Sequence, residues 1–142
     1  MATIVTRSGK GSPLTHTEMD ANFTNLDADK AGYTTAGDGG AVIQGTSKST
    51  TVVLNNKCGK ITMHSADLAA DTTVSFTLTN NTIEEGDVLI LNHIDVGDIG
   101  SYLLNAKCAD GSATIYVRNI TSSALENQAI VIGFALVQAR HD

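Results

Sequence analysis

From Ala41 to Val137 the chain is a succession of short apolar runs, each closed by Gly, Asn, Asp, Ser or Thr. Runs this short are too brief for helices and suit strands. The strand candidates are 41–44, 50–54, 60–64, 72–79, 87–93, 101–108, 113–119 and 129–138. Val74, Phe76 and Leu78 alternate with Ser75, Thr77 and Thr79, the pattern of a half-buried strand. Ile115 and Val117 alternate in the same way with Tyr116 and Arg118. Val88, Leu89, Ile90 and Leu91 are continuous and read as a strand covered on both faces. Ala129 to Val137 is the longest apolar run, which predicts a central strand; Gly133 inside it marks a bulge or a close backbone approach. Asp110-Gly111 between two runs is a hairpin signal. Turn signals recurring at roughly ten-residue spacing predict an all-β fold: a small antiparallel β-sandwich, jelly-roll-like.

With 142 residues the chain holds one such domain and an appended arm. Its only aromatics are Phe23, Phe76, Phe134, Tyr33, Tyr102 and Tyr116, so the core must be built from Val, Ile, Leu and Ala. The net charge of −6, with basic residues scattered, argues against nucleic acid as a partner. No run is long enough to span a bilayer as a helix, so no membrane partner is expected. The first residues lack a signal-peptide pattern, which predicts synthesis in a cytoplasm. Cys58 and Cys108 are then expected as buried thiols without a disulfide.

The N-terminal region, 1–40, reads separately from the sandwich, 41–142. Thr3 to Arg7 is an edge-strand candidate, and Ser8 to Pro13 a turn-forming linker. A helix is predicted over 15–27. Thr15 is its N-cap and Glu18 the returning partner of a capping box. Leu14 and Met19 occupy the staple positions. Met19, Phe23 and Leu26 share one face, and a helix this short needs that stripe docked on something. A loop of residues 28–40 separates the helix from the sandwich, leaving docking at home and docking on a partner both open. Arg7 and Lys10 precede any acidic residue, so the arm suits an acidic surface.

Catalytic patterns are missing: no nucleophile elbow, P-loop, H-E-x-x-H or dinucleotide glycines, so neither enzyme activity nor a cofactor is expected. His64, His93, Cys58 and Cys108 could form a zinc site, but no ligand spacing supports one and strand-end histidines bonded to backbone are the simpler reading. Asp95 to Ser101 could form a loose calcium loop, though it lacks EF-hand spacing and a solvated loop is the simpler reading. Asn22-Phe23-Thr24, Asn81-Thr82 and Asn119-Ile120-Thr121 resemble glycosylation acceptors in part, as chance allows in a Thr- and Asn-rich chain. Heptads, a Gly-X-Y period and β-helix repeats are all lacking, against an elongated fibre shaft.

The string Lys10-Gly11-Ser12-Pro13-Leu14-Thr15-His16-Thr17-Glu18-Met19-Asp20-Ala21-Asn22-Phe23-Thr24-Asn25-Leu26 resembles a segment near the N-terminus of many tailed-bacteriophage virion proteins of fibre and decoration type. The likeness runs from Ile4 to Asp29, and residues 46 to 83 resemble a small β-domain of phage structural proteins. The resemblance implies a virion component. The first expectation is a capsid decoration (cement) protein, a homotrimer that binds the major capsid protein or another virion protein and stabilises the shell. Arg7, Lys10, Leu14, Met19, Phe23 and Leu26 would carry the attachment. The alternative is a short tail fibre or receptor-binding adaptor.

Overall fold

The computed structural model describes residues 5–28 and 39–139. By contacts the chain divides into two compact units, Met1–Lys30 and Ala31–Asp142.

In the first unit a single helical turn, α1 (Arg7–Lys10), precedes α2 (His16–Ala28). Residues 3 and 4 of the expected edge strand, and 29–38 of the expected loop, lie outside the described residues. Arg7 is not extended. The cause is a cap that the strand reading overlooked: Gly9 N donates to Thr6 Oγ1 at 3.1 Å and Lys10 N to Thr6 O at 3.0 Å.

The second unit holds β1 (Gly39–Ile43), β2 (Val52–Val53), β3 (Cys58–Thr62), β4 (Thr73–Thr79), β5 (Val88–Asp95), β6 (Tyr102–Ala109), β7 (Ser112–Asn119) and β8 (Val131–Val137). Each falls on one of the runs picked out in the sequence. They form two four-stranded sheets, ordered β1-β3-β8-β5 and β2-β4-β7-β6. Both sheets are mixed, not antiparallel: β1 runs parallel to β3, and β2 parallel to β4. The reason is the path of the chain. From β1 to β6 successive strands change sheet, so β3 is reached from β1 only through β2 opposite, a crossover that returns the chain in the same direction. The β6–β7 hairpin stays within one sheet, turning at Asp110-Gly111 with Gly111 at φ 72°.

The inner rows of both sheets share one apolar core. Ile61, Ile132, Phe134 and Leu136 of the first sheet meet Phe76, Leu78, Ile115 and Val117 of the second. Strand β8 is central, as its apolar run predicts. Strand β5 corrects the sequence reading. Leu89 is buried and Leu91 half-buried, but Val88 and Ile90 are exposed, because they alternate onto the outer face of the two-sheet body, as Val137 does on the neighbouring β8. The bulge lies in β5, between His93 and Asp95, and not at Gly133. At Gly133 the backbone is instead approached by Ile94, whose Cγ2 lies 3.2 Å from where a Cβ would stand.

Buried polar side chains fasten the loops to this core. Gln44 donates to Lys48 O at 3.1 Å and Thr50 O at 2.9 Å, and accepts from His64 N at 3.1 Å. Lys48, only 4 % exposed, donates to His64 O and Gln128 O, both at 2.7 Å. Burial pulls its ammonium pKa down while Asp67 opposes that. At the strand ends Asn80 and Asn119 each accept, through Oδ1, from both the amide and the hydroxyl of the Thr two residues on.

Gly40 and Gly59 are partners across β1 and β3, and together they admit Leu54. A Cβ on Gly59 would stand 2.7 Å from Leu54 Cδ2 and 2.8 Å from the Gly40 carbonyl. Gly59→Ala should therefore destabilise the body by about 1–3 kcal/mol. Gly45, with nothing within 4 Å of its would-be Cβ, is the control. Gly45→Ala should be neutral or stabilising by about 0.4–1 kcal/mol. Urea midpoints at unchanged m-value would separate the two; equal midpoints would contradict the packing argument.

Candidate partner-binding site

Helix α2 starts where its chemistry allows. Glu18 N donates to Thr15 Oγ1 at 3.2 Å, and the Glu18 carboxylate accepts from Thr15 N at 2.7 Å. Both arms of the capping box are thus closed. Lys10 reaches the same carboxylate and pairs with Glu18 at 2.5 Å, tying α1 to the first turn of α2. A second tie was not foreseen. Asn22 Oδ1 accepts from Val5 N, and Asn22 Nδ2 donates to Val5 O, both at 2.8 Å. The side-chain amide thus satisfies both polar groups of one backbone residue, as a neighbouring strand would. The only sequence signal was an Asn facing back along the helix, 17 residues from its partner.

These bonds set the expected attachment residues in place. Leu14, before the cap, is half-buried. Met19 is 37 % exposed and Phe23, one turn further, 71 % exposed. Phe23 is thus the more exposed of the two large apolar side chains described on α2. Leu26 lies on α2 and Arg7 opens α1, but their side chains are outside the described residues. Lys10 is already ion-paired, so its charge is largely neutralised inside the unit. A shallow open hollow beside it is lined by Ser8, Gly11, Ser12 and Pro13.

In the β body the residues considered for metals do not converge. Among the described residues no three His, Cys, Asp or Glu gather into a metal-holding group. His64 Nδ1 accepts from Ala66 N at 3.0 Å, and His93 Nε2 meets Val96 O. Cys58 begins β3 of the first sheet, whereas Cys108 is a free, half-buried thiol on β6 of the second. Burial pushes the Cys108 thiol up, which makes it a poor nucleophile. In the Asp95–Ser101 loop the carboxylates serve the fold: Asp95 accepts from Val96 N at 2.9 Å and Asp98 from Gln128 Nε2 at 3.1 Å. Gln128 Oε1 accepts in turn from Tyr102 OH at 2.7 Å, and Tyr102 packs edge-on against His93. The Asn-x-Thr patterns are also structural. Asn119 is fully buried and donates to Leu68 O, Ala69 O and Ser123 O, so it offers no acceptor for a glycan in the folded chain.

Comparison with protein-family models, with curated proteins and with solved structures returns no match.

Two titrations follow from this geometry. Lys10 first, then the Thr15 amide and hydroxyl, hold the Glu18 carboxyl down at about 2. A depressed carboxylate supports the cap fully above its ordinary value of 4.5 and loses it as pH falls through about 2. The Thr15 amide chemical shift should therefore titrate with a midpoint near 2; a midpoint near 4.5 would mean the box is open. At the other end of the scale, burial, aided by Asp98, pushes the Tyr102 phenol up to about 12. The folded state then keeps a proton that the unfolded chain releases near 10, so stability should fall as pH rises from 10 toward 12. Tyr102→Phe, compared by urea denaturation at both ends of that range, should flatten the decline.

Proposed function

We propose that this protein is a structural component of a phage particle, a capsid decoration protein attached through its N-terminal helical unit. The observation that carries the reading is Phe23. It is 71 % exposed on a helix whose entry is fixed by a closed capping box, an ion pair and the Asn22–Val5 amide clasp. These ties, two of them sharing the Glu18 carboxylate, hold the backbone beneath a ring that gains nothing from solvent. That arrangement suits an anchor prepared for a pocket in the major capsid protein or another virion protein. The resemblance of residues 10–26 to virion attachment segments supports the same role. The body, two four-stranded sheets whose successive strands mostly alternate between layers, suits a jelly-roll-like cap on a shell. A structural role calls for no catalytic group and no cofactor.

Binding to the assembled lattice but not to the free subunit would stabilise the shell by RT ln(1 + [L]/Kd) per site, about 2.7 kcal/mol at a hundredfold excess over Kd. Phe23→Ala should leave the chain's own stability within about 0.5 kcal/mol, since an exposed ring supports little of the fold. Binding to particles should be lost, and particles depleted of the protein should release DNA at a lower temperature. Adding back the wild type, but not Phe23→Ala, should restore them. If depleted particles keep their heat stability and stop adsorbing to cells, the protein belongs to the tail as a receptor-binding adaptor. If Phe23→Ala binds as the wild type does, the anchor is elsewhere.

A further inference from the structure

Among the described residues, His93 Nδ1 is the only buried side-chain nitrogen or oxygen that meets no hydrogen-bond partner. The other ring nitrogen decides what Nδ1 is. Nε2 meets Val96 O and lies 3.2 Å from Asp95 O. Carbonyls only accept, so Nε2 carries the proton and Nδ1 is a bare lone pair closed off from solvent. The backbone that this ring holds is strained. Val96 sits at φ 58°, a left-handed conformation that a β-branched residue keeps only under constraint. Its own polar groups supply the constraint: Val96 N donates to Asp95 Oδ1 at 2.9 Å, and Val96 O accepts from His93. Gly97 and Gly100 follow at φ 74° and 93°, two joints without a Cβ. The loop so formed joins β5 to β6, and Tyr102 at the start of β6 packs edge-on against the His93 ring, with centroids 5.4 Å apart.

We propose that His93 is a pH-operated latch on the 95–101 loop: neutral, its Nε2–H holds Val96 O and keeps the loop closed; protonated at Nδ1, the ring leaves its seat and the loop opens. A second proton would place a donor at Nδ1 where neither an acceptor nor water reaches it, which disfavours the cation in the closed form. The groups around the ring point the same way. On the inner side Tyr102 of β6 is a neutral phenol, and β8, which pairs Ile132 with His93, brings no charged residue. Tyr102 donates to Gln128 Oε1, and the buried Lys48 ammonium already donates to Gln128 O, so the interior here holds one positive charge before His93 takes another. On the outer side stand two exposed carboxylates, Asp95 on the same strand and Asp98 on the loop. An imidazolium turned outward thus meets the acceptors that the closed seat lacks. Release of Val96 O also lets Val96 return to negative φ, so relief of strain adds to the electrostatic push. The open form binds one proton more than the closed form. Opening is therefore favoured as pH falls through the ordinary histidine range, about 6.5. The inference does not depend on the particle reading, because it uses only the body.

The experiment is NMR on the full chain, labelled with nitrogen-15, from about pH 8 down to about pH 5, a window that spans the histidine range and stays above that of ordinary carboxylates. At the upper end the His93 ring should show the Nε2–H tautomer. On acidification the proton–nitrogen NOEs of Val96, Gly97 and Asp98 should fall together, with the midpoint of the His93 ring signals, while those of Ile115 and Val117 in the core stay high. Titration without opening would move chemical shifts and leave the NOEs in place. His93→Gln takes up no proton, so its loop NOEs should be the same at both ends of the window. Val96→Asn puts a residue at ease at positive φ on an exposed position, and its loop should open only at lower pH than the wild type. The proposal is overturned by an Nδ1–H tautomer at the upper end, by wild-type loop NOEs that hold throughout, by a pH-dependent loss that persists in His93→Gln, or by a Val96→Asn loop that opens at the wild-type pH or above it.

Discussion

The contact between the inner rows of the two sheets is the constraint on which everything else in the body rests. Without Trp, and with only Phe76, Phe134 and Tyr102 as its aromatics, the core is filled mainly by Ile, Leu and Val. Such side chains stabilise only when close-packed, because each contact is small and a void forfeits several at once. The glycine pair Gly40 and Gly59 is a consequence. It lowers the sheet surface under Leu54 so that the end of the core is filled and not left open. The buried polar groups are another. Strands that change sheet need loops across the ends of the core, and those loops carry carbonyls that water cannot reach. Lys48, Gln44 and Asn119 answer those carbonyls from within.

How much of this was legible follows from which interactions are local. All eight strands lay on apolar runs in the sequence, since a strand with one buried face announces itself every second residue. The capping box was legible because both partners sit within four residues. The parallel pairs were not. Whether β3 returns beside β1 depends on which sheet β2 joins, and nothing local to either strand records that. The Asn22–Val5 clasp and the buried Lys48 escaped for the same reason, as their partners lie 17 and 80 residues away. The turn α1 was missed on a different ground: Gly9 weakens the helical propensity of Arg-Ser-Gly-Lys, and the turn is held by the Thr6 cap and by the Lys10–Glu18 ion pair.

The Asn-x-Thr pattern shows how one short string is used for geometry. At Asn119 and at Asn80 the amide oxygen turns the chain by accepting from the second following residue, while the amide nitrogen reaches a backbone carbonyl elsewhere. Both sit at the ends of strands in the second sheet, where the chain must leave the ladder without stranding its polar groups. A pattern that reads as a surface acceptor is, at these two places, part of the interior.

Strand β5 carries the same lesson in reverse. Val88-Leu89-Ile90-Leu91 reads as a strand covered on both faces, and within one chain it is covered on one. A hydrophobic pattern records every surface that is to be kept from water, whether the cover comes from the same chain or from another. Where the pattern asks for more burial than the fold supplies, the difference marks surface left for assembly. On the second sheet the outward rows of β4 and β7 are mostly Ser and Thr, although Val53, Leu103 and Tyr116 are also exposed on that side. On the first, pattern and cover disagree along β5 and β8, where Val88, Ile90 and Val137 are exposed. The helix repeats the disagreement on a smaller scale at Phe23. Two separate sets of apolar side chains, one a row of aliphatics on the sheet and one a ring on a braced helix, are left exposed among the described residues.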